Sequence, residues 1–228
     1  MVPRILIDTA LVPGGGELRL FQRGDDFSIM LGANELMNSR LSGSEEALAT
    51  LVCDRLGVCD RLGAAPAPHL LIGGLGMGFT LRAALGRVGP DAAVTVAELV
   101  PAVVAWARGP MAPIFDGSLE DRRVTVAEED VGALIAGVRG AWDAILLDVD
   151  NGPDGLTRRG NDRLYSATGL DAARSALRPG GMLAVWSAAP DAKFVRRLET
   201  AGFAVEEVVV KARGGRGARH IIWLATRL

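Results

Sequence analysis

Short apolar runs separated by polar, glycine-bearing breaks dominate the chain, and their spacing changes along its length. Near the start, Glu17–Phe21 (ELRLF) and Phe27–Leu31 (FSIML) flank Arg23-Gly24-Asp25-Asp26. Glycine and aspartate between two such runs predict a β-hairpin, and Asn34–Asn38 continues the same small element. A helix then starts at Ser44, with Leu48, Leu51, Val52 and Leu56 at helical spacing. Ser42 followed three residues later by Glu45 has the spacing of a capping box. Residues 1–42 are therefore expected to form an N-terminal β-hairpin module, and 43–228 the main domain. Gly57 and the Gly-Ala-Ala-Pro run ending at Pro68 close the helical segment that starts at Ser44.

From His69 onward, apolar runs of strand length alternate with helical segments. Strands are predicted at Leu70–Ile72, Ala93–Ala97, Val124–Val126, Ala144–Leu147 and Met182–Trp186. Helices are predicted over about Thr80–Arg87, from Pro101, and over about Asp130–Val138, Leu170–Leu177 and Asp191–Ala201. Continuous apolar strands in strand–helix alternation imply a mostly parallel sheet covered on both faces. The end breaks the rhythm. Val205–Lys211 and His220–Thr226 are split only by Ala212–Arg219, a connection too short for a crossover, so they form an antiparallel pair.

Composition narrows the classes. The chain has 228 residues, 49% of them hydrophobic and 23% charged, with a formal net charge of −2. This is an ordinary globular mixture, without the basic excess of a nucleic-acid binder. No apolar run approaches the ~18 residues of a membrane span. Asp8 interrupts the short apolar start, which does not read as a signal peptide, and the expected location is cytoplasmic. Cys53 and Cys59 form neither a disulfide framework nor a zinc pattern. His69 and His220 are far apart, so no metal site is expected.

The chemistry gathers where the strands end. Gly74, Gly76 and Gly78 alternate between a strand and a helix, in LLIGGLGMG. Glycine there lets backbone approach a ligand, and the first amides of the helix favour polar or anionic groups. Phe79 stands where a dinucleotide fingerprint would carry its last glycine, so a nucleoside without pyrophosphate fits better. Glu98 ends the next strand twenty residues past Gly78, where α/β sites hold ribose hydroxyls. Asp130 ends the following strand and can either reach an adenine amino group or serve as a solvated first-turn acid. Asp148 and Asp150 close the fourth strand of the sheet and lie on one side of the backbone. Such a pair can receive a proton or hold an ammonium, and two like charges so close raise one of the two pKa values. Tyr165, the lone tyrosine, comes next.

In order, LLIGGLGMGFTLRAAL, VTVAELVPAVV, DAILLDVDNGP, RLY and LRPGGMLAVWS resemble the spermidine synthase-like (polyamine aminopropyltransferase) family, within the class I S-adenosylmethionine-dependent methyltransferase superfamily. The resemblance runs from about Glu17 to Leu228. It implies a Rossmann-like seven-stranded sheet ending in an antiparallel strand, plus a small N-terminal β module. It implies S-adenosylmethionine or its decarboxylated form as donor, no metal, a small amine acceptor and a homodimer. It also implies that Gly74, Gly76, Gly78, Glu98 and Asp130 bind the donor, with Glu98 on the ribose and Asp130 near adenine. Asp148 would accept the amine proton, with Asp150 or Tyr165 orienting the amine. Three departures stand out. The family's glycine loop usually carries an acid, GGGDGG, where this chain reads GGLGMG. Ser44-Glu45-Glu46-Ala47 keeps an acid of the acceptor segment but neither its tyrosine nor its histidine, and Leu36 or Met37 stands at the usual glutamine. The DSTDP-type loop is shortened to Asp148–Pro153. A small-molecule methyltransferase and a non-catalytic nucleoside-binding or interaction protein are the alternatives on this scaffold.

Overall fold

The structure is a computed structural model that describes residues 2–57, 67–149, 153, 163–213 and 216–228. The N-terminal part is a four-stranded antiparallel meander: β1 (Ile5–Leu11), β2 (Glu17–Arg23), β3 (Asp26–Leu31) and β4 (Asn34–Asn38), in that spatial order. Gly24, at φ +63°, sits in a two-residue connection between β2 and β3, with Arg23 opposite Asp26. Left-handed backbone of this kind matches the twist of a tight hairpin. The sheet buries Leu18, Leu20, Phe27 and Ile29 against the main domain.

The hairpin expectation missed β1. Ile5-Leu6-Ile7 lacks polar alternation, and the register against β2 shifts between Leu6 and Asp8. Only pairing with β2 makes it a strand.

Helix α1 (Gly43–Leu56) comes next, burying Leu48, Ala49, Val52 and Cys53 and ending at Gly57 in the left-handed region. Ser42 occupies the N-cap, but its side chain makes no capping bond. The expected capping box does not form, because the Glu45 carboxylate is held by the Ser44 hydroxyl at 2.6 Å instead.

The main sheet contains β5 (His69–Gly73), β6 (Ala93–Ala97), β7 (Val124–Ala127), β8 (Trp142–Leu147), β9 (Leu177–Ser187), β10 (Phe203–Arg213) and β11 (Arg216–Arg227), in the order β10-β11-β9-β8-β5-β6-β7. All neighbouring pairs are parallel except those of β11, which runs antiparallel to β9 and β10. This is the expected seven-stranded Rossmann-like sheet. Helices α2 (Phe79–Leu85), α3 (Pro101–Arg108), α4 (Ala112–Phe115), α5 (Val131–Ala136), α6 (Ala167–Ala176) and α7 (Ala192–Thr200) cover it.

Strand alternation sorts the core into two layers. Leu70, Ile72, Ala144 and Leu146 join the cluster beneath α1, α2 and α3. Leu71, Ile145 and Leu147 join the cluster beneath α5, α6 and α7. Both terminal strands are longer than expected, since pairing continues through Arg213 and Arg216 despite their polarity. Similarly, β9 begins at Leu177 rather than Met182, so α6 ends one residue earlier than expected. Among the described residues, no helix is long and apolar enough to cross a membrane.

Candidate active site

The chain crosses over on either side of β5, to β6 and to β8, and leaves a crevice at their carboxyl ends. This is the switch point at which open α/β sheets bind ligands. The three glycines there have three different reasons. Gly74, at φ +92°, has its amide on the Ala97 carbonyl, and a Cβ on it would lie 2.5 Å from the Asp148 carbonyl oxygen. It therefore lets the ends of β5 and β8 close on each other. Gly78, at φ +75°, caps α2, and a Cβ there would strike the Phe115 ring at 2.5 Å. Gly76, at φ +51°, faces open space, with the Met37 sulfur nearest at 3.4 Å from an added Cβ.

Glu98 is buried at the end of β6. Its Oε2 accepts the Leu75 amide at 3.0 Å and its Oε1 the Val100 amide at 2.9 Å. It pins the glycine loop to the segment leading into α3. Burial raises its pKa, opposed by hydrogen bonds from the backbone of Val100, Leu75, Leu99 and Gly76. Asp130 is exposed and caps α5, its Oδ1 accepting the amides of Gly132 at 2.7 Å and Ala133 at 3.3 Å. That is the helix-capping alternative read from sequence, although the residue also borders the crevice.

Asp148 comes directly after Leu147. Leu147 belongs to the α5–α7 layer, so alternation turns Asp148 to the opposite side, toward α1 and α2. There its Oδ2 accepts the Thr80 hydroxyl at 2.7 Å. Withdrawal from water, and secondarily the negative charge of Glu45, push its pKa up to about 7, against the lowering effect of the Thr80 bond. The sequence anticipated a raised carboxylate through a neighbouring acid and named Asp150. Asp150 lies outside the described residues. The acid that acts on Asp148 in the structure is Glu45, which the chain brings from α1.

Two adjoining cavities meet at this carboxylate. The first runs from Gly74 and Glu98 to Asp130 and the N-terminal sheet. The second is bordered by Glu45, Asn38, Gly78 and Trp186. Leu36, Met37, Gly76 and Asp148 line both. Among the described lining residues of either cavity there is no lysine or arginine. The first holds Glu98, Glu129, Asp130 and Asp148, the second Glu45 and Asp148. The combined site is therefore negative and suited to cations.

Tyr165 is placed elsewhere. Its ring is buried edge-on to Phe194 at 5.6 Å, in the α5–α7 layer, and its hydroxyl lies 3.5 Å from the Val149 carbonyl oxygen. It braces the loop after β8 and is not among the described residues lining either cavity. Sequence reasoning did not single out Thr80, Trp186 or His220 for the site. Thr80 and Trp186 lie within the stretches LLIGGLGMGFTLRAAL and LRPGGMLAVWS but at positions with no evident chemical role there, and His220 lies outside every such stretch.

A sheet of this order, with acids at the ends of its parallel strands and an antiparallel last hairpin, defines the class I methyltransferase-like fold, and solved structures bear this out. A spermidine synthase in complex with the transition-state analogue AdoDATO superimposes with a TM-score of 0.77 at 17% identity, covering 98% of this chain and 74% of that one. The Thermotoga maritima spermidine synthase gives 0.73 at 15%, covering 98% and 73%. A Burkholderia thailandensis N1-methyltransferase with bound S-adenosylhomocysteine gives 0.56 at 17%, covering 82% and 79%. By sequence, the chain's curated relatives are polyamine aminopropyltransferases. Polyamine aminopropyltransferase 1 of Streptomyces coelicolor is 33% identical over 150 residues, 62% of this chain and 27% of that protein. The Mycobacterium tuberculosis polyamine aminopropyltransferase is 32% identical over 148 residues, 61% and 27%. These relatives are transferases, and the match spans about a quarter of their length. No protein-family model matches the chain.

Proposed function

We propose that this protein is an aminopropyltransferase that moves an aminopropyl group from a sulfonium nucleoside to an amine. The observation that carries the reading is the position of Asp148. It borders both cavities and titrates near neutrality, beside a second carboxylate. The donor would occupy the first cavity, with Glu98 toward its ribose, Asp130 toward its adenine, and Gly74 and Gly76 leaving room beside the loop. Four acids with no base in the described lining suit the decarboxylated form of S-adenosylmethionine, which is cationic and has no carboxylate to pair. They also supply the negative charge that GGLGMG lacks. The amine would enter the second cavity.

In the reaction, the neutral amine nitrogen attacks the carbon beside sulfur. The new C–N bond forms as the C–S bond breaks, and the bonding pair leaves on sulfur as a neutral thioether. The surplus proton passes from nitrogen to Asp148. A base with a pKa near the working pH suits that transfer, and holding both reactants in one crevice supplies much of the remaining acceleration. Glu45 takes the orienting role that the sequence assigned to Asp150 or Tyr165. The reading includes a cytoplasmic homodimer. The support for the dimer is β1, where Ile5, Leu6 and Leu11 are 55%, 48% and 79% exposed on a strand paired along one edge.

The test is an assay of putrescine and related diamines with both donors. Aminopropylated amine from the decarboxylated donor is expected. Methylated product from S-adenosylmethionine, with no aminopropyl transfer across the amine panel, would overturn the reading in favour of a methyltransferase.

A further inference from the structure

We propose that His220 is a positioning residue for the amine acceptor, acting through Ser44 on the Glu45 carboxylate; this rests on the aminopropyl-transfer reading above. His220 lies on the last strand, far in sequence from every motif of the site. Its Nδ1 is 2.9 Å from the Ser44 Oγ, which is in turn 2.6 Å from the Glu45 Oε2. A carboxylate oxygen only accepts, so the single Ser44 hydroxyl proton points at Glu45. The serine oxygen is then left to accept, and the imidazole must carry its hydrogen on Nδ1. The chain of donors has one direction: His220 to Ser44 to Glu45.

This arrangement is enclosed where it matters. Ser44 is 1% exposed, so water does not replace either partner. With Oε2 held by Ser44, Oε1 is left to meet a ligand of the second cavity, which Glu45 lines. The same imidazole packs edge-on to Trp186, with ring centroids 4.7 Å apart, and Trp186 forms another wall of that cavity. One side chain thus braces two walls that come from α1 and β9. On its far side the carbonyl of Glu45 lies 3.3 Å from the Thr80 hydroxyl that donates to Asp148. The geometry suits an acceptor with two amino groups. A charged ammonium pairs with the fixed Glu45 carboxylate, while the neutral nitrogen faces Asp148.

The experiment compares the full-length wild type with His220→Phe, His220→Asn, Ser44→Ala and the His220→Phe/Ser44→Ala double variant, using putrescine and decarboxylated donor. Phenylalanine keeps a ring against Trp186 and removes the donor. Asparagine restores a nitrogen donor near Nδ1. Loss of the neutral hydrogen bond that fixes the Ser44 hydroxyl, at the upper end of what such a bond contributes, predicts a KM for putrescine about tenfold higher in His220→Phe, with kcat within about twofold and donor KM unchanged. His220→Asn should recover most of the loss. Ser44→Ala should match His220→Phe, and the double variant should be no worse than either single one. An unchanged putrescine KM in His220→Phe, or equal impairment of His220→Asn, overturns the proposal. If the wild type transfers no aminopropyl group, the transfer reading fails separately, and calorimetric binding of putrescine decides this proposal by the same comparison. Absence of putrescine binding by the wild type would also overturn it.

Discussion

Replacing Asp148 by asparagine should stabilise the protein and disable it, and the two effects can be separated by pH. The carboxyl is displaced from 3.8 to about 7 by burial and by Glu45. At 1.36 kcal/mol per pH unit, that displacement amounts to a cost of about 4 kcal/mol for ionising it in the folded state. Between these two values the native protein holds a proton that the unfolded chain has released. Stability contributed by the protonated group is therefore complete below about pH 4 and is lost as the pH rises through about 7. Asparagine cannot ionise, and its Oδ1 still accepts the Thr80 hydroxyl. Denaturant unfolding at a series of pH values should show Asp148→Asn more stable than wild type by up to about 4 kcal/mol at about pH 8 to 9. The gain should shrink to nothing below about pH 4. Activity should move the other way. Loss of a general base costs about 100- to 10,000-fold in kcat, and kcat/KM of the wild type should rise with an apparent pKa of about 7. A stability difference that does not vary between about pH 4 and pH 8, or a variant less stable at the upper end, would refute the electrostatic argument whether or not turnover is detected.

Glycine substitutions should rank by environment. Gly78→Ala meets both left-handed strain and the Phe115 ring, costing about 3 kcal/mol in thermal unfolding, whereas Gly76→Ala meets only strain and costs about 1 kcal/mol. Equal losses would show that the ring contact is not what fixes Gly78. Glu98→Gln turns an amide donor toward either the Leu75 or the Val100 amide and should weaken methylthioadenosine binding by about 1.5–3 kcal/mol; an unchanged Kd by calorimetry would remove Glu98 from the donor site. Light scattering at micromolar concentration should give the mass of a dimer, and a monomeric mass would count against burial of β1 between two copies.

Much of the architecture is local information. Apolar runs of strand length, glycines after the first of them in the main sheet, and a proline at the start of α3 reflect constraints that each segment carries by itself. The ligand edge comes from the same pattern, because the end of a buried strand is where Glu98 and Asp148 must emerge. Which way those carboxylates turn is set by the same two-residue alternation. β1 was not legible in this way, since three consecutive apolar residues become a strand only by pairing with β2.

Sequence pattern by itself therefore determined the α/β class, the order of elements and the line of acids along one edge of the sheet. Tertiary structure alone decided which groups act on one another. Asp148 is raised by burial and by Glu45, a residue of a different element far back in the chain. Tyr165, in the RLY motif, is turned into the core against Phe194, while His220, in no motif, reaches Ser44 across 176 residues. The physical reason is range. Backbone preference and side-chain period extend over a few residues, but desolvation, charge–charge coupling and hydrogen-bond direction depend on distances that exist only after α1, β8 and β11 have packed together.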